Sequence, residues 1–301
     1  MSRWLSFPVL PLLIAVAAAL LHAAGVHAIA PPILTAPAER QHFHGFPQLL
    51  FDDEHKIMCC YIQKNGCTLV AELFLKLAGR RHGGSVWGDL YKGGGGARKR
   101  PWSRTFDDDE ITDAWYDDDF ARIVQVRDPA ERLLSGYLQK CLDRAQRSSH
   151  CIGFKNTGTP VPTFAEFINK LTPKKIRSNN HFRMQSDMCG LYNTSWRYNY
   201  IVDMSSNTFQ SRIRDIYLSH DVSSNIVDSL YPPVQKQGSN SHNTAAHEKM
   251  KQYYGEDGMK DGLLDKVHEL FRADYVLLSQ LPTVNTSNWA FPLPKYAQQL
   301  Q

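Results

Sequence analysis

The hydrophobic positions of this 301-residue chain fall into short apolar runs that alternate with amphipathic segments. Apolar runs at 55–62, 121–126 and 198–204 have the length and composition of strands buried on both faces. Helical spacing of apolar residues occurs in the segments at 69–77, from 129 onward, and at 163–171, 207–217, 223–230 and 262–278. Strands that alternate with helices favour a single α/β domain with a central parallel sheet flanked by helices.

The first thirty residues are typical of a targeting segment, because positions 4–30 carry no formal charge. The apolar run 9–21, followed by the candidate cleavage site Val26-His27-Ala28, fits a cleaved signal peptide. The stretch 4–24 is also long enough to be a signal anchor that spans a bilayer. Either interpretation directs the chain into the secretory route, with a stem at 31–54, a globular domain at 55–285 and a tail at 286–301.

Charge and cysteine content narrow the function classes. The formal net charge of +4 permits an anionic ligand but is too low for a general nucleic-acid binder. The six cysteines all follow the targeting segment, and Cys141 and Cys151 flank a short polar loop, which predicts one disulfide. No paired CxxC modules occur, so we expect no structural zinc site and no metal. Sequons at Asn193 and Asn285 fit lumenal exposure.

The segment 83–120 is rich in glycine and in charged residues. Four glycines precede the basic residues at 98–100, and acidic clusters follow at 107–110 and 117–119. We expect a mobile, solvated loop here, because the stretch lacks the apolar periodicity of a packed element. The alternative is that Arg98, Lys99 and Arg100 hold an acidic sugar chain.

The first candidate binding site is the strand–turn–helix boundary QKNGCT at 63–68. Its residues Lys64, Asn65, Gly66, Cys67 and Thr68 follow a predicted strand and lead into a predicted helix. Backbone N–H groups at such a turn bind phosphate, and a lysine and a hydroxyl would strengthen that site. The order differs from the Walker A pattern GxxxxGK[ST], which disfavours an ordinary ATPase or GTPase. A purely structural turn remains an alternative.

The second candidate site follows the next strand, in VRDPAERLLSGY at 126–137. Arg127 can form two hydrogen bonds to one phosphate, and Ser135 adds a hydroxyl from the following helix, for which Asp128 is the predicted N-cap. Ligands bind at the carboxyl ends of strands in such sheets, so two anion sites there suit a nucleotide with two separate phosphates. For Glu131 and Arg132 we favour an exposed, ion-paired helix start.

Four blocks in the right order resemble the Golgi carbohydrate sulfotransferases of the chondroitin, dermatan and HNK-1 type, sulfotransferase family 2. The segment 63–68 is similar to their 5'-phosphosulfate loop, and 126–137 to their 3'-phosphate motif. The third block is HFRMQSDMCG at 181–190 with the strand after it, and the fourth is the closing segment 267–281. Gln63, Ala130 and Gly136 depart from the usual pattern, which leaves the acceptor class open.

This resemblance implies a P-loop-like fold that binds 3'-phosphoadenosine 5'-phosphosulfate (PAPS) without a metal. It assigns Lys64 to the bridging oxygen or the sulfuryl group, and Thr68 with its loop to the 5'-phosphate. It places Arg127 and Ser135 on the 3'-phosphate. It also implies a Golgi location, as a type II membrane protein or, after cleavage, a secreted one.

His181 is the candidate general base, because it belongs to the third block and histidine titrates near neutral pH. A core histidine is an equal alternative, while Gln185 is expected to support the site and Cys189 to be buried or disulfide-bonded. The expected acceptor is a hydroxyl of a glycan or polysaccharide, with protein tyrosine, a lipid or a small metabolite also open. Two other functions compete: a noncatalytic secretory glycan-binding protein on the same fold, and a P-loop-like nucleotide kinase.

Overall fold

The computed structural model describes residues 48–80, 83, 86–91, 108–142, 150–154, 160–233 and 245–300. The predicted targeting segment, most of the predicted stem and the basic residues 98–100 lie outside these ranges. Within them, no helix combines the length and the apolar character that crossing a bilayer requires.

A four-stranded sheet forms the centre of the fold, in the order β1 (Leu49–Asp52), β2 (Ile57–Cys60), β3 (Ala121–Val126) and β4 (Tyr200–Asp203). β1 pairs antiparallel with β2, whereas β2, β3 and β4 run parallel. The carboxyl ends of the three parallel strands therefore meet at one edge of the sheet. The predicted α/β fold is confirmed, with a mixed and mostly parallel sheet.

Helices connect the strands and cover the sheet. In chain order the described α-helices are α1 (Cys67–Leu77), α2 (Val86–Tyr91), α3 (Asp108–Tyr116), α4 (Pro129–Lys140), α5 (Phe164–Lys170), α6 (Pro173–Arg177), α7 (Leu191–Thr194), α8 (Phe209–Ser219), α9 (Ser224–Leu230), α10 (Ala246–Tyr254), α11 (Leu263–Leu270), α12 (Arg272–Gln280) and α13 (Lys295–Gln298). Short 3₁₀ helices occupy Ser195–Arg197, Lys260–Gly262 and Thr286–Asn288.

Each face of the sheet has its own apolar core, because successive strand residues point to opposite faces. On one face, Ile57 and Ile123 pack with apolar residues of α1, α8 and α9. On the other, Met58 and Val124 pack with apolar residues of α4, α5 and α10. All six residues of β3 are buried, including the polar residues Arg122 and Gln125, as expected for a strand that is covered on both faces.

The folded domain extends beyond the predicted boundaries at both ends. β1 lies inside the predicted stem, and it belongs to the sheet because Leu49, Leu50 and Phe51 are buried beside β2. In the predicted tail, Trp289 and Phe291 are buried in the same core as α4. The core therefore recruits apolar residues on either side of 55–285.

Three predicted elements differ in the structure. The segment 83–120, predicted as a loop, contains α2 and α3; α3 buries Ile111 and Trp115 while Asp109 faces solvent. The predicted closing helix is divided into α11 and α12, because the backbone leaves helical geometry at Phe271 (φ −111°, ψ 24°). Helix α10 lies between the helical segments predicted at 223–230 and 262–278, where the sequence predicts no helix.

Candidate active site

The turn after β2 presents backbone N–H groups at the start of α1. Gly66 is the N-cap of α1 and has no side chain to cap it, and the first helical hydrogen bond runs from Val70 N to Gly66 O. The N–H groups of Cys67 and Thr68 precede that bond, so they belong to the first turn, where helices leave backbone donors without intrahelical partners. This arrangement suits an anion.

Glycine is strongly favoured at the N-cap position of α1. Gly66 has φ +69°, and a Cβ built there would lie 2.7 Å from the Gln125 side-chain oxygen of β3. Lys64, two residues earlier, also has a positive φ, of 73°. The turn is therefore tightly wound, and β3 is packed directly beneath it.

Lys64 lies partly buried among other cations. Its ammonium donates to Gln139 Oε1 of α4 at 2.8 Å. Burial lowers the pKa of Lys64 to about 7, with further lowering by Arg127, Lys140 and Arg132 and an opposing influence of Cys67. We refer to Lys64, Arg127, Arg132 and Lys140 as the cation cluster. An anion bound here would relieve the repulsion within this cluster and raise that pKa.

Arg127, at the end of β3, turns its guanidinium toward the loop of Lys64. One Nη1 N–H donates to the Lys64 carbonyl oxygen at 3.0 Å. Nε and Nη2 donate to Glu131 Oε1 at 3.0 and 2.5 Å. A guanidinium has five N–H donors, so one on Nη1 and one on Nη2 have no acceptor among the described residues. Arg127 can therefore offer two donors to a ligand.

Gln185 joins the two strand-end loops. Its Oε1 accepts from Asn65 Nδ2 at 2.6 Å and from Arg127 N at 3.0 Å, while its Nε2 donates to Arg127 O at 2.8 Å. Asn65 also donates to the carbonyl oxygen of Gln125 at 2.8 Å. Gln185 is fully buried. These contacts agree with its predicted supporting role, and they fix the spacing between the loops of Lys64 and Arg127.

Two further links hold the segment of Gln185 in place. The buried carboxylate of Asp274 on α12 accepts from the backbone N–H groups of Gln185 and Ser186 at 2.9 and 2.7 Å. A disulfide joins Cys60, at the end of β2, to Cys189. The predicted motif blocks thus meet in space, since the closing segment supports the third block and the third block supports the first two.

His181 lies beside the cation cluster and is held in one orientation. Its Nδ1 is 3.1 Å from Asn179 Oδ1, and Asn179 uses its amide nitrogen to donate to the His150 carbonyl oxygen. Because Asn179 thereby presents an oxygen to the ring, His181 carries its proton on Nδ1 and leaves Nε2 as an acceptor. Burial lowers the pKa of His181 to about 3, aided by Lys140, His150 and Lys64.

The predicted disulfide between Cys141 and Cys151 is confirmed. It joins the end of α4 to the segment that carries His150, whose ring centroid lies 4.8 Å from that of His181. The disulfide therefore ties to α4 the segment whose His150 ring packs against His181.

The predicted exposure of the start of α4 is wrong for both charged residues. Glu131 is 2% exposed and Arg132 is 1% exposed. Arg132 donates to three backbone carbonyl oxygens, those of Gln63, Asn180 and Arg183, so it clamps the loop after β2 to the third block. Backbone acceptors, which no sequence pattern reveals, allow this guanidinium to be buried.

The remaining predicted ligands occupy two helices. Thr68 lies in the first turn of α1 and is partly exposed, while Ser135 lies on α4 and is 2% exposed. Asp128 is the N-cap of α4, as predicted, and accepts from Ala130 N at 2.9 Å. The structure thus brings Lys64 and Arg127 into contact and places Ser135 two turns along the helix that Arg127 precedes.

A cavity of about 270 Å³ opens beyond the end of β4. Hydroxyl and amide side chains dominate its lining, together with Asp203, Phe209 and Arg212, and none of the predicted site residues lines it. Over the ranges that the structure describes, no group of three or more His, Cys, Asp or Glu residues is arranged to hold a metal ion.

Comparison with known proteins agrees with this geometry. The model of the sulfotransferase family matches residues 47–279, which include all four strands and both strand-end loops. No curated protein and no solved structure shows a significant match to the chain. With its family match covering well over half of its length, this chain belongs to the sulfotransferase family.

Proposed function

We propose that this sulfotransferase transfers the sulfuryl group of PAPS to a hydroxyl of a carbohydrate acceptor. The observation that carries the proposal is the placement of Lys64. Its ammonium lies within a cluster of cations beside the uncapped N-terminus of α1, where a bound anion would be stabilised by the surrounding positive charge. A nucleotide with phosphates at two positions matches two anion sites at neighbouring strand ends.

The residues present fit that donor. The first turn of α1, with Thr68 and Lys64, would hold the 5'-phosphosulfate end. Arg127, with its two remaining N–H donors, would hold the 3'-phosphate, together with the hydroxyl of Ser135. Three contacts of Gln185 fix the two loops relative to each other, so the two anion sites form one rigid unit.

PAPS, when bound, supplies the sulfuryl group, and 3',5'-ADP is the leaving group. Lys64 stabilises the negative charge that grows on the departing phosphate oxygen, where backbone N–H groups of α1 add further donors. Positioning and electrostatics would supply most of the rate, by analogy with phosphoryl transfer. The acceptor oxygen forms its bond to sulfur as the bond between sulfur and the phosphate oxygen breaks.

His181 is the proposed acceptor of the hydroxyl proton. Its Nε2 carries a lone pair, because Nδ1 holds the ring proton against Asn179. The neutral ring persists to low pH in the free protein, as its lowered pKa of about 3 requires. A bound anionic donor would offset the nearby cations and raise this pKa, which makes the ring a stronger base when the donor is present.

A carbohydrate acceptor and a Golgi location are proposed together. The support is the resemblance of the four sequence blocks and the uncharged N-terminal segment. Two further features fit an oxidising lumen. The chain has disulfides at Cys60–Cys189 and Cys141–Cys151, and the sequon residues Asn193 and Asn285 are exposed.

The test is calorimetric titration of the purified protein with 3',5'-ADP, with 5'-ADP as the comparison ligand. We expect wild-type protein to bind 3',5'-ADP and to bind 5'-ADP only weakly. Lys64→Ala and Arg127→Ala should lose the binding of 3',5'-ADP. Lys295→Ala, which changes an exposed lysine on α13, is the matched control and should bind like wild type. A folded wild-type protein that binds no 3',5'-ADP would contradict the proposal and favour a noncatalytic glycan-binding protein.

Activity then tests the transfer itself, with labelled PAPS and a panel of glycans, tyrosine peptides and small phenols. Sulfation of glycans alone supports the proposed acceptor class, whereas transfer only to another class would contradict it. Lys64→Ala and Arg127→Ala should abolish transfer while circular dichroism shows that they remain folded. Wild-type transfer rates in either variant would refute the assigned roles.

A further inference from the structure

Glu131 is a buried carboxylate whose first oxygen is devoted to Arg127. Arg127 lies four positions before Glu131, and Glu131 Oε1 accepts from both Nε and Nη2 of Arg127. Glu131 is 2% exposed, and the Arg127 side chain is 12% exposed. A surface ion pair of this spacing contributes little to stability, but a buried one constrains geometry because neither partner can turn to solvent.

The second oxygen of Glu131 is held from two other parts of the chain. Ser205, just after β4, donates its hydroxyl to Glu131 Oε2 at 2.8 Å and accepts from Asp128 N at 3.0 Å. His247 on α10 places Nδ1 3.3 Å from the same oxygen. The carboxylate, carried by α4, is therefore oriented from three other places: the end of β3, the end of β4 and α10.

The surroundings keep Glu131 ionised. Burial acts to raise its pKa, but Arg127, His247 and Ser205 together lower the pKa to about 2. A carboxylate that stays charged in this location keeps a strong hold on a guanidinium. Arg127 is thus held on one side by Glu131 and on another by the Lys64 carbonyl oxygen.

We propose that Glu131 is the positioning residue that aims the Arg127 guanidinium at the 3'-phosphate of the donor, and that His247 and Ser205 hold Glu131 in place. This inference rests on the proposed function. Glu131 consumes the Nε side of the guanidinium, so the donors that remain are one N–H on each Nη. Without Glu131, Arg127 could rotate, and its charge would stay near the site while its direction was lost.

One ratio distinguishes the positioning role of Glu131 from a merely structural role: the affinity for 3',5'-ADP divided by the affinity for 5'-AMP. These ligands differ only in the 3'-phosphate. Glu131→Ala should lower the affinity for 3',5'-ADP by about 30-fold, which is in the range expected for the loss of a charged hydrogen bond. It should lower the affinity for 5'-AMP by less than about 3-fold. A change in overall stability alone would lower the affinity for both ligands equally and leave the ratio unchanged.

Two further variants keep the test decisive if Glu131→Ala fails to fold. Glu131→Gln preserves the shape and one acceptor oxygen, so it should lower the ratio by about 5-fold. His247→Gln removes only one support of the carboxylate and should lower the ratio by about 3-fold. Asp228→Asn is the matched control, since it removes a carboxylate paired with Arg214 between α8 and α9; it should leave the ratio unchanged.

The two proposals fail in different ways. If wild-type protein binds neither nucleotide, the proposed function itself is contradicted. Wild-type protein that prefers 3',5'-ADP, together with an unchanged ratio in both Glu131→Gln and His247→Gln, would overturn only the positioning role. A lowered ratio in both variants, with the ratio of Asp228→Asn unaltered, supports it.

Discussion

Raising the pH should weaken donor binding because Lys64 loses its proton in the free protein. The pKa of Lys64 is about 7, lowered first by burial and then by the cations around it. The sign follows from that direction: the charged form dominates below pH 7, and it disappears from the free protein as the pH rises above 7. Binding an anion above pH 7 therefore requires Lys64 to take up a proton first.

The magnitude follows from the fraction of Lys64 that is protonated. With a pKa of about 7, that fraction is about one half at pH 7 and about one hundredth at pH 9. The affinity for 3',5'-ADP should therefore fall by about 50-fold, or about 2.3 kcal/mol at 1.36 kcal/mol per decade. Phosphate groups have second pKa values near 6 and are already ionised across this range.

Isothermal titration calorimetry at several pH values, in buffers with different enthalpies of ionisation, measures both the affinity and the protons taken up. Close to one proton per bound ligand is expected at pH 8.5, and about one half of a proton at pH 7, because Lys64 is then already half protonated. An affinity that stays constant from pH 7 to 9 without proton uptake would refute this reasoning.

Three other predictions concern stability and turnover. Gly66→Ala should lower the free energy of unfolding in urea by about 3 kcal/mol, against about 1 kcal/mol for Gly79→Ala. Both glycines have a positive φ, but only a Cβ at Gly66 would meet a side chain. Equal losses would contradict the close approach of β3. Lys64→Met should raise the melting temperature of the ligand-free protein at pH 6 by about 3 °C or more, because it removes a poorly compensated buried charge. A decrease would show that hydrogen bonds and nearby charges stabilise the ammonium of Lys64. His181→Gln should lower kcat by about 100-fold and leave the donor KM nearly unchanged, whereas a change in donor KM alone would assign this histidine to binding.

The strand ends and their loops could be predicted from the sequence because their signals are local. β3 is a short run of mostly apolar residues, and its bounds are those predicted. Asp128 and Pro129 mark the start of α4 by the ordinary rules of helix N-termini. The parallel arrangement then requires the loops of Lys64 and Arg127 to lie at the same edge of the sheet.

The supporting contacts of the site could not be predicted, because they depend on residues distant in the chain. Glu131 is held by Ser205 and His247, which lie 74 and 116 positions away. A charged residue at the start of a helix is normally solvated, so burial of Glu131 and Arg132 contradicts the usual expectation and needs the tertiary partners to explain it. Among these supporting residues, only Gln185 could be identified from the sequence, because it belongs to the third motif block.

Other differences have local causes. In α3, Ile111, Ala114 and Trp115 have helical spacing and are buried, but the acidic residues around them suggested a solvated loop. In β1, three apolar residues follow a segment rich in proline and alanine, and four residues are too few to outweigh that composition. A buried residue can thus belong to the core without a pattern long enough to identify it.

The site is composed of segments that are far apart in sequence, which affects how the protein unfolds. The pairing of β2 with β3 brings their loops together, and Gln185 contacts both loops from a segment that is tied to α12 and to β2. No partly unfolded form that lacks one of these elements would retain the anion site. Nucleotide binding should therefore be linked to cooperative unfolding of the whole domain, so that a saturating ligand protects slowly exchanging amide protons in every strand and not only those near the site.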